Sequence, residues 1–154
     1  MLRKAKLTDA KAIHSLLCGF ADKGVLLNRP LNYIYENLRD FWVYEKKGKI
    51  IGCCSLHIIG WNDMAEVKSL AINKAYQKKG IGRLFVEESF KEAKSLGIKN
   101  IFTLTFVPEF FEKLGFKRIN KSQLPNKIWS DCVNCSQFPN CKEIALIHKV
   151  KGKI

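Results

Sequence analysis

No long apolar run interrupts this chain of 154 residues, so a membrane-spanning helix, which needs about 20 consecutive apolar residues, is not expected. A secretory leader is not expected either. Met1-Leu2-Arg3-Lys4 is basic, but Ala5-Lys6-Leu7-Thr8-Asp9 is too polar to form the apolar core of one. The expectation is a cytoplasmic protein with no membrane partner. Internal repeats and low-complexity tracts are absent, which excludes solenoids and repeat arrays. Acidic residues are scarce, 14 against 27 Lys and Arg, leaving a net charge of +13. That balance invites nucleic acid. The lysines, however, are spread over the whole chain, with no arginine-rich arm and no basic stripe alternating with aromatics. A solvated surface, or positive charge gathered near a polyphosphate or an acidic substrate, accounts for it better.

What is present is globular: 47% hydrophobic and 27% charged residues, enough to bury one core and expected to form one domain over 1–154. Residues 2–7 read as an opening strand. Thr8 is a plausible N-cap for a first helix whose apolar face is Ile13, Leu16, Leu17 and Phe20, spaced i, i+3, i+4, i+7. Gly24 and Pro30 break the pattern before a second helix over roughly 31–39. Phe41 to Glu45, Lys49 to Ile59 and Ala65 to Ile72 read as three strands of a meander. Lys46-Lys47-Gly48-Lys49 is the first turn between them. A long amphipathic helix runs from Ile81 to Leu96, with Gly97 as its C′ stop. Asn100 to Val107 is another strand. Pro108 opens a short helix at N1 with Phe111 and Leu114 inward, ended by Gly115. Phe116 to Ile119 and Ile144 to Lys149 close the chain as strands, around an irregular segment at 121–142.

The most informative stretch is Gln77-Lys78-Lys79-Gly80-Ile81-Gly82-Arg83, a basic glycine-rich turn between a strand and a helix. Glycine permits φ > 0 and close approach of a ligand to the backbone. The first helical turn offers N–H groups and the positive end of the helix dipole, a setting for phosphate. Standing alone, the same stretch also fits a tight turn before a surface helix.

The order β-α-α-β-β-β-α-β-α-β-β, with Q-x-x-G-x-G after the third meander strand, resembles the GCN5-related N-acetyltransferase (GNAT) family. Phe110-Phe111-Glu112-Lys113-Leu114-Gly115-Phe116 resembles the second signature of that family. Gly24-Val25-Leu26-Leu27-x-Arg29, Ile51 to Leu56, Ala65 to Ile72 and Leu124-Pro125 are similar to the acetyltransferase domain of amino-acid N-acetyltransferases of the N-acetylglutamate synthase kind, in a short form without a kinase-like domain or its arginine feedback site. The fold this implies is α/β (α+β): a mixed, mostly antiparallel twisted sheet of about seven strands with about four helices.

The resemblance implies acetyl-CoA as co-substrate and L-glutamate as acceptor, in arginine biosynthesis. It places the pyrophosphate over Gln77, Lys78, Lys79, Gly80, Ile81, Gly82 and Arg83, and the pantetheine arm along the backbone of Leu70, Ala71 and Ile72, as an added strand would lie. It makes Glu66 the general base. A carboxylate part-buried among the apolar neighbours of that strand has a raised pKa suited to the task; the rival reading is a strand-edge Glu in a surface ion pair. Many relatives use a tyrosine of the aromatic pair as general acid, and here that position is Phe111. Ser69 and Thr105 are the candidates to hydrogen-bond the thiolate or relay a proton, and the Leu70 N–H to hold the oxyanion. Two acceptor carboxylates call for arginine: Arg29 first, then Lys68, which shares a strand face with Glu66, and Lys127. Phe20, Tyr33 and the 121–142 segment shape the acceptor choice. Relatives that pair through terminal strands suggest a homodimer.

Six cysteines without a secretory signal are not read as disulfides. Cys132, Cys135 and Cys141 form C-x2-C-x5-C, a spacing that suits zinc or an iron–sulfur cluster, with His148, Cys18 or an open position as fourth ligand. Reduced thiols packed as small hydrophobes, or a Cys132–Cys135 redox pair, remain alternatives. Two functional alternatives stand beside glutamate acetylation. One is acetylation of another amino acid, a small amine or a protein amine. The other, from a different class, is a metal-dependent nucleic-acid-binding module favoured by the net charge and the cysteine knuckle.

Overall fold

The computed structural model describes residues 1–22, 29–59, 64–124 and 143–150. Its strands are β1 (Leu2–Lys4), β2 (Phe41–Lys46), β3 (Lys49–Ile58), β4 (Met64–Ile72), β5 (Asn100–Thr105), β6 (Lys117–Ile119) and β7 (Ile144–Lys149). Its helices are α1 (Ala10–Asp22), α2 (Leu31–Glu36), α3 (Ile81–Leu96) and α4 (Pro108–Glu112). The strands form one seven-stranded sheet in the order β1-β2-β3-β4-β5-β7-β6. The sheet is mixed: β4 and β5 are parallel, and the β1–β2, β2–β3, β5–β7 and β6–β7 pairs are antiparallel. The expected element order and class are observed.

Local chemistry explains where the boundaries differ. β1 stops at Lys4 because Leu7–Asp9 winds into a 3-10 turn. Asp9, rather than Thr8, supplies the capping carboxylate, which accepts the Lys6 N–H at 2.7 Å. α2 ends at Glu36 rather than near 39 because the Asn37 side chain donates to Tyr33 O at 2.9 Å and competes with the helix. Leu38–Asp40 is a separate 3-10 turn. β5 ends two residues early because Thr105 Oγ1 accepts the Val107 N–H at 3.0 Å. In the β2–β3 hairpin both turn residues have positive φ, Lys47 at 51° and Gly48 at 76°, the handedness that matches strand twist.

By contacts the chain divides into two compact units: Met1–Leu56 with Val67–Ser89, and His57–Glu66 with Phe90–Ile154. The first unit has its core in Ala10, Ile13 and Leu17 of α1, Ile34 of α2, Phe41 and Val43 of β2, Cys53 of β3 and Ala71 of β4. Leu16, Phe20, Tyr33 and Leu38 pack against them, so the expected apolar face of α1 is the buried one. Each large apolar side chain removed from water there contributes about 1.5–3 kcal/mol before entropy is counted. Gly52 permits close packing in this unit: a Cβ there would lie 3.1 Å from both Ile72 Cδ1 and Phe85 Cε2.

The second unit is built on Ile59, Phe102, Leu124 and Ala145, with Met64, Leu104, Ile119 and Ile147 against them. Phe116 meets Phe111 edge-on at 5.3 Å between centroids, and the His148 ring lies 4.6 Å from Phe90. Gly115 ends the turn after α4 at φ 98°, and a Cβ there would stand 3.2 Å from the His148 ring. Phe111 is buried as expected, whereas Leu114 is only half-buried. Along α3 the buried residues are Ile81, Phe85, Val86, Ser89 and Ala93; Leu84 and Leu96 face solvent. No helix among the described residues is long and apolar enough to cross a membrane.

Candidate active site

β4 and the turn that follows it carry the candidate residues of the first unit. After Ile72 a 3-10 turn, Lys74–Tyr76, is capped by Asn73, whose side chain accepts the Ala75 N–H at 3.0 Å. Lys78 and Gly80 then take left-handed backbone, φ 61° and 85°. Left-handed residues placed so closely curl the chain and present successive N–H groups on one side, the arrangement that receives an anion. Gly80 O accepts the Leu84 N–H at 3.2 Å and so begins α3. The amides of Ile81, Gly82 and Arg83 are those a helix start leaves without an intrahelical acceptor.

Gln77 anchors the turn to the strand, donating from Nε2 to Ile72 O at 3.0 Å. Around it Lys46 and Lys79 both stand over the Tyr76 ring, at 5.2 and 5.6 Å. Lys78, Lys79 and Gly80 are exposed. Arg83 is committed in part to an i, i+4 ion pair with Glu87 at 2.7 Å. Both partners are well exposed, so that pair is worth well under 1 kcal/mol and yields readily to a phosphate. Backbone, charge and helix dipole thus meet where the sequence places the pyrophosphate.

β4 itself is not regular. Ser69, inside the strand, has φ 55°, which few residues other than glycine adopt. The hydrogen bonds at the strand's two ends measure the distortion. Ile59 N–H bonds to Met64 O, and Asn73 N–H bonds to Ile51 O. The interval from Ile51 to Ile59 is one residue shorter than that from Met64 to Asn73, so β4 carries one extra residue, a bulge at Ser69. The β4–β5 ladder runs from Met64↔Asn100 only to Glu66↔Phe102. Leu70, Ala71 and Ile72 lie beyond it. No feature of the apolar run Ala65 to Ile72 announces the bulge, because Ser is not a residue that marks left-handed backbone.

Arg29 and Lys68 come together on one aromatic ring. The Arg29 guanidinium stands 4.8 Å and Lys68 Nζ 5.2 Å from the centroid of Tyr33. Arg29 is buried, at 8% exposure, a rare position for a guanidinium and one that fits a recognition role. Pro30 caps α2 from extended backbone and Tyr33 follows in its first turn, so the loop charge is delivered next to the ring.

In the second unit, Glu66 is 2% exposed and opposes Phe102 in the ladder. Strand alternation puts it on the same face as Lys68. Thr105 is buried, and its hydroxyl oxygen is used by the Val107 amide, which leaves its proton to donate. Lys127, Cys132, Cys135 and Cys141 lie outside the described residues. Among the described residues no group of three or more His, Cys, Asp or Glu is placed to hold a metal ion. Of the further ligands considered for that segment, His148 Nδ1 meets Gly115 O at 3.0 Å and Cys18 Sγ meets His14 Nε2 at 3.4 Å.

The acetyltransferase (GNAT) domain model matches residues 37–118. An uncharacterised N-acetyltransferase of Chlorobaculum tepidum is 40% identical over 146 residues, 95% of this chain and 94% of its own. An amino-acid acetyltransferase of Mycobacterium tuberculosis is 33% identical over 134 residues, 85% of this chain and 76% of that one. Among solved structures, N-acetylglutamate synthase from Neisseria gonorrhoeae, complexed with coenzyme A and N-acetyl-glutamate, aligns with a TM-score of 0.88 at 25% identity. That alignment covers 98% of this chain and 35% of the gonococcal one. A Mycobacterium tuberculosis protein crystallised with CoA aligns with a TM-score of 0.82 at 28% identity, over 98% of this chain and 99% of that one.

Proposed function

This chain belongs to the GNAT family of acetyltransferases, and on that premise we propose that it transfers the acetyl group of acetyl-CoA to the α-amino group of L-glutamate. The family fixes the class of enzyme, an acetyl-CoA-dependent N-acetyltransferase. The acceptor is the further step. The observation that carries it is the pair of cations, Arg29 and Lys68, held on the Tyr33 ring. Two positive charges close to one aromatic surface suit a small acid with carboxylates to place, and an arginine fork takes a carboxylate in two parallel hydrogen bonds. The name of the Mycobacterium tuberculosis relative, an amino-acid acetyltransferase, supports an amino-acid acceptor, and that of the Neisseria gonorrhoeae structure, an N-acetylglutamate synthase, supports glutamate.

The roles follow from position. Glu66, buried on β4 on the face it shares with Lys68, takes a proton from the arriving ammonium, directly or through water. The freed amine attacks the thioester carbonyl, and the Leu70 N–H stabilises the oxyanion that forms. The C–S bond then breaks, the electron pair leaves with sulfur, and the second proton lost by the nitrogen passes to the thiolate. Its conjugate thiol has a pKa of roughly 8.5, so the leaving group needs only a hydrogen bond or a relayed proton. Ser69, one residue before Leu70, and Thr105 are the hydroxyls for that. The turn from Gln77 to Arg83 holds the pyrophosphate, and Leu70 to Ile72 hold the pantetheine arm.

This reading puts the enzyme in arginine biosynthesis, in the cytoplasm. The spacing of Cys132, Cys135 and Cys141 suits a metal; elemental analysis of protein purified without chelator decides it, and metal-free, folded, active protein overturns it. The function itself is tested by CoA thiol release with a panel of amino acids and amines. Glutamate-dependent release is expected. Turnover with other amines but not glutamate overturns the acceptor and leaves the class. Failure to bind acetyl-CoA overturns both.

A further inference from the structure

In a regular strand consecutive carbonyls point to opposite edges. In β4 two consecutive carbonyls point to the same one. Ser55 Oγ donates to Lys68 O at 3.1 Å, and Cys53 Sγ donates to Ser69 O at 3.4 Å. Both donors belong to β3, and both are sealed from water, at 1% and 0% exposure. The left-handed Ser69 is what turns the two carbonyls to one side. The Ala71 amide hydrogen-bonds to the same Cys53 sulfur. Two β3 side chains therefore bond directly to consecutive backbone groups of β4.

The consequence falls on the residue between. With Ser69 O and Ala71 N–H both directed at β3, strand alternation sends the N–H and C=O of Leu70 to the other edge. We infer that Cys53 and Ser55 are positioning residues, a side-chain clamp that holds the Ser69 bulge and so aims the Leu70 N–H at the reacting carbonyl. This rests on the acetyl-transfer reading above for what the amide is aimed at, though not for the clamp itself. A left-handed serine is a costly backbone state that persists only where its surroundings enforce it. Deleting a buried donor to either carbonyl adds to that cost. Without the clamp, β4 has reason to relax, and the amide moves with it.

Four variants test this. Cys53→Ala and Ser55→Ala each delete a donor with little change of volume; Cys53→Ser and Ser55→Cys keep one. Removing a direct oxyanion donor costs on the order of 10²–10³ in kcat, so two groups acting through the backbone should together cost roughly tenfold. The Cys53→Ala/Ser55→Ala double variant is therefore expected to lose about that much kcat, with the KM of acetyl-CoA and of glutamate changed less than about twofold. The donor-keeping variants are expected near wild-type kcat. Full kcat in the double variant, with only a lower melting temperature, would show a purely structural role and overturn the inference.

Amide hydrogen exchange supplies a readout independent of turnover. Ala71 N–H should exchange faster in Cys53→Ala and at the wild-type rate in Cys53→Ser. Unchanged exchange in both overturns the clamp. If the wild-type enzyme acetylates no amine, the functional reading fails, and the exchange rates still decide whether the clamp exists.

Discussion

Arg29 holds its charge below the surface against the Tyr33 ring, and no other described arginine is so little exposed. On the reading proposed above, that guanidinium takes an acceptor carboxylate. Arg29→Ala should raise the KM of glutamate by at least about tenfold and leave the KM of acetyl-CoA within about twofold, since a charge-assisted bidentate contact is lost on one substrate only. Equal effects on both would move Arg29 out of the acceptor site. Far from this chemistry, Arg3 forms an ion pair with Asp9 at 2.7 Å and with Glu45 at 2.7 Å. The Arg3 hydrogen bond is the main reason the Asp9 carboxyl titrates below its usual 3.8. A carboxyl depressed in the folded state contributes stability that is complete above its unfolded pKa and lost as pH falls through the folded one. Thermal unfolding measured between pH 5 and pH 2 should therefore lose this contribution in wild type. In Arg3→Met the melting temperature should be lower at neutral pH and flatter across that acid window; parallel curves would refute the linkage. Arg29, Glu66, Lys68 and Ser69 could be named as candidates because a resemblance attached roles to them. The Arg3–Asp9 pair was not, because nothing in local spacing says that β1, the following turn and β2 bring those charges together.

Elements that rely on one backbone state give sharper tests than their side chains do. Gly80 and Gly97 bracket α3, each with positive φ, 85° and 79°, and each with open space where a Cβ would go. Alanine at either position pays only the left-handed strain, about 1–2 kcal/mol. Gly97→Ala should lower stability by that amount with both KM values unchanged, because its job is to end the helix. Ile98 N–H reaches back to Ala93 O at 2.9 Å there. Gly80→Ala should carry the same stability cost and also raise the KM of acetyl-CoA, because the phosphate turn itself must move. A Gly80→Ala enzyme with a normal acetyl-CoA KM would separate this turn from the cofactor. The sequence gives both glycines away by position, one before an amphipathic run and one after it. It gives no sign of the irregularity in β4. A bulge at serine is decided by tertiary contacts, from Cys53 and Ser55 on a neighbouring strand, and no local propensity encodes it.

At the level of the whole molecule, the net charge of +13 now has a partner. A basic surface draws a polyanionic co-substrate by long-range attraction, which falls within a Debye length of about 10 Å at 0.1 M salt. The KM of acetyl-CoA should rise several-fold between roughly 0.05 M and 0.5 M salt while kcat stays level. A flat KM would return the lysines to the role of solvated surface. Element order was legible from end to end because apolar periodicity marks the elements and Gly48, Gly80, Gly97 and Gly115 stand between several of them. Arg29 and Lys68 were legible as residues and not as a pair, since their meeting place is a ring on α2.

The burial of Cys53 and Cys54 has a last consequence, which concerns time rather than position. Both thiols are at 0% exposure, and burial pushes Cys54 up to about 12 and Cys53 higher still. Only a thiolate reacts with an alkylating reagent, so neither sulfur can be trapped while β3 stays closed. Each labelling event at those two positions therefore dates one opening of the strand. The native chain carries its own stopwatch for the stretch that supports catalysis, and it runs with no substrate added and no label built in.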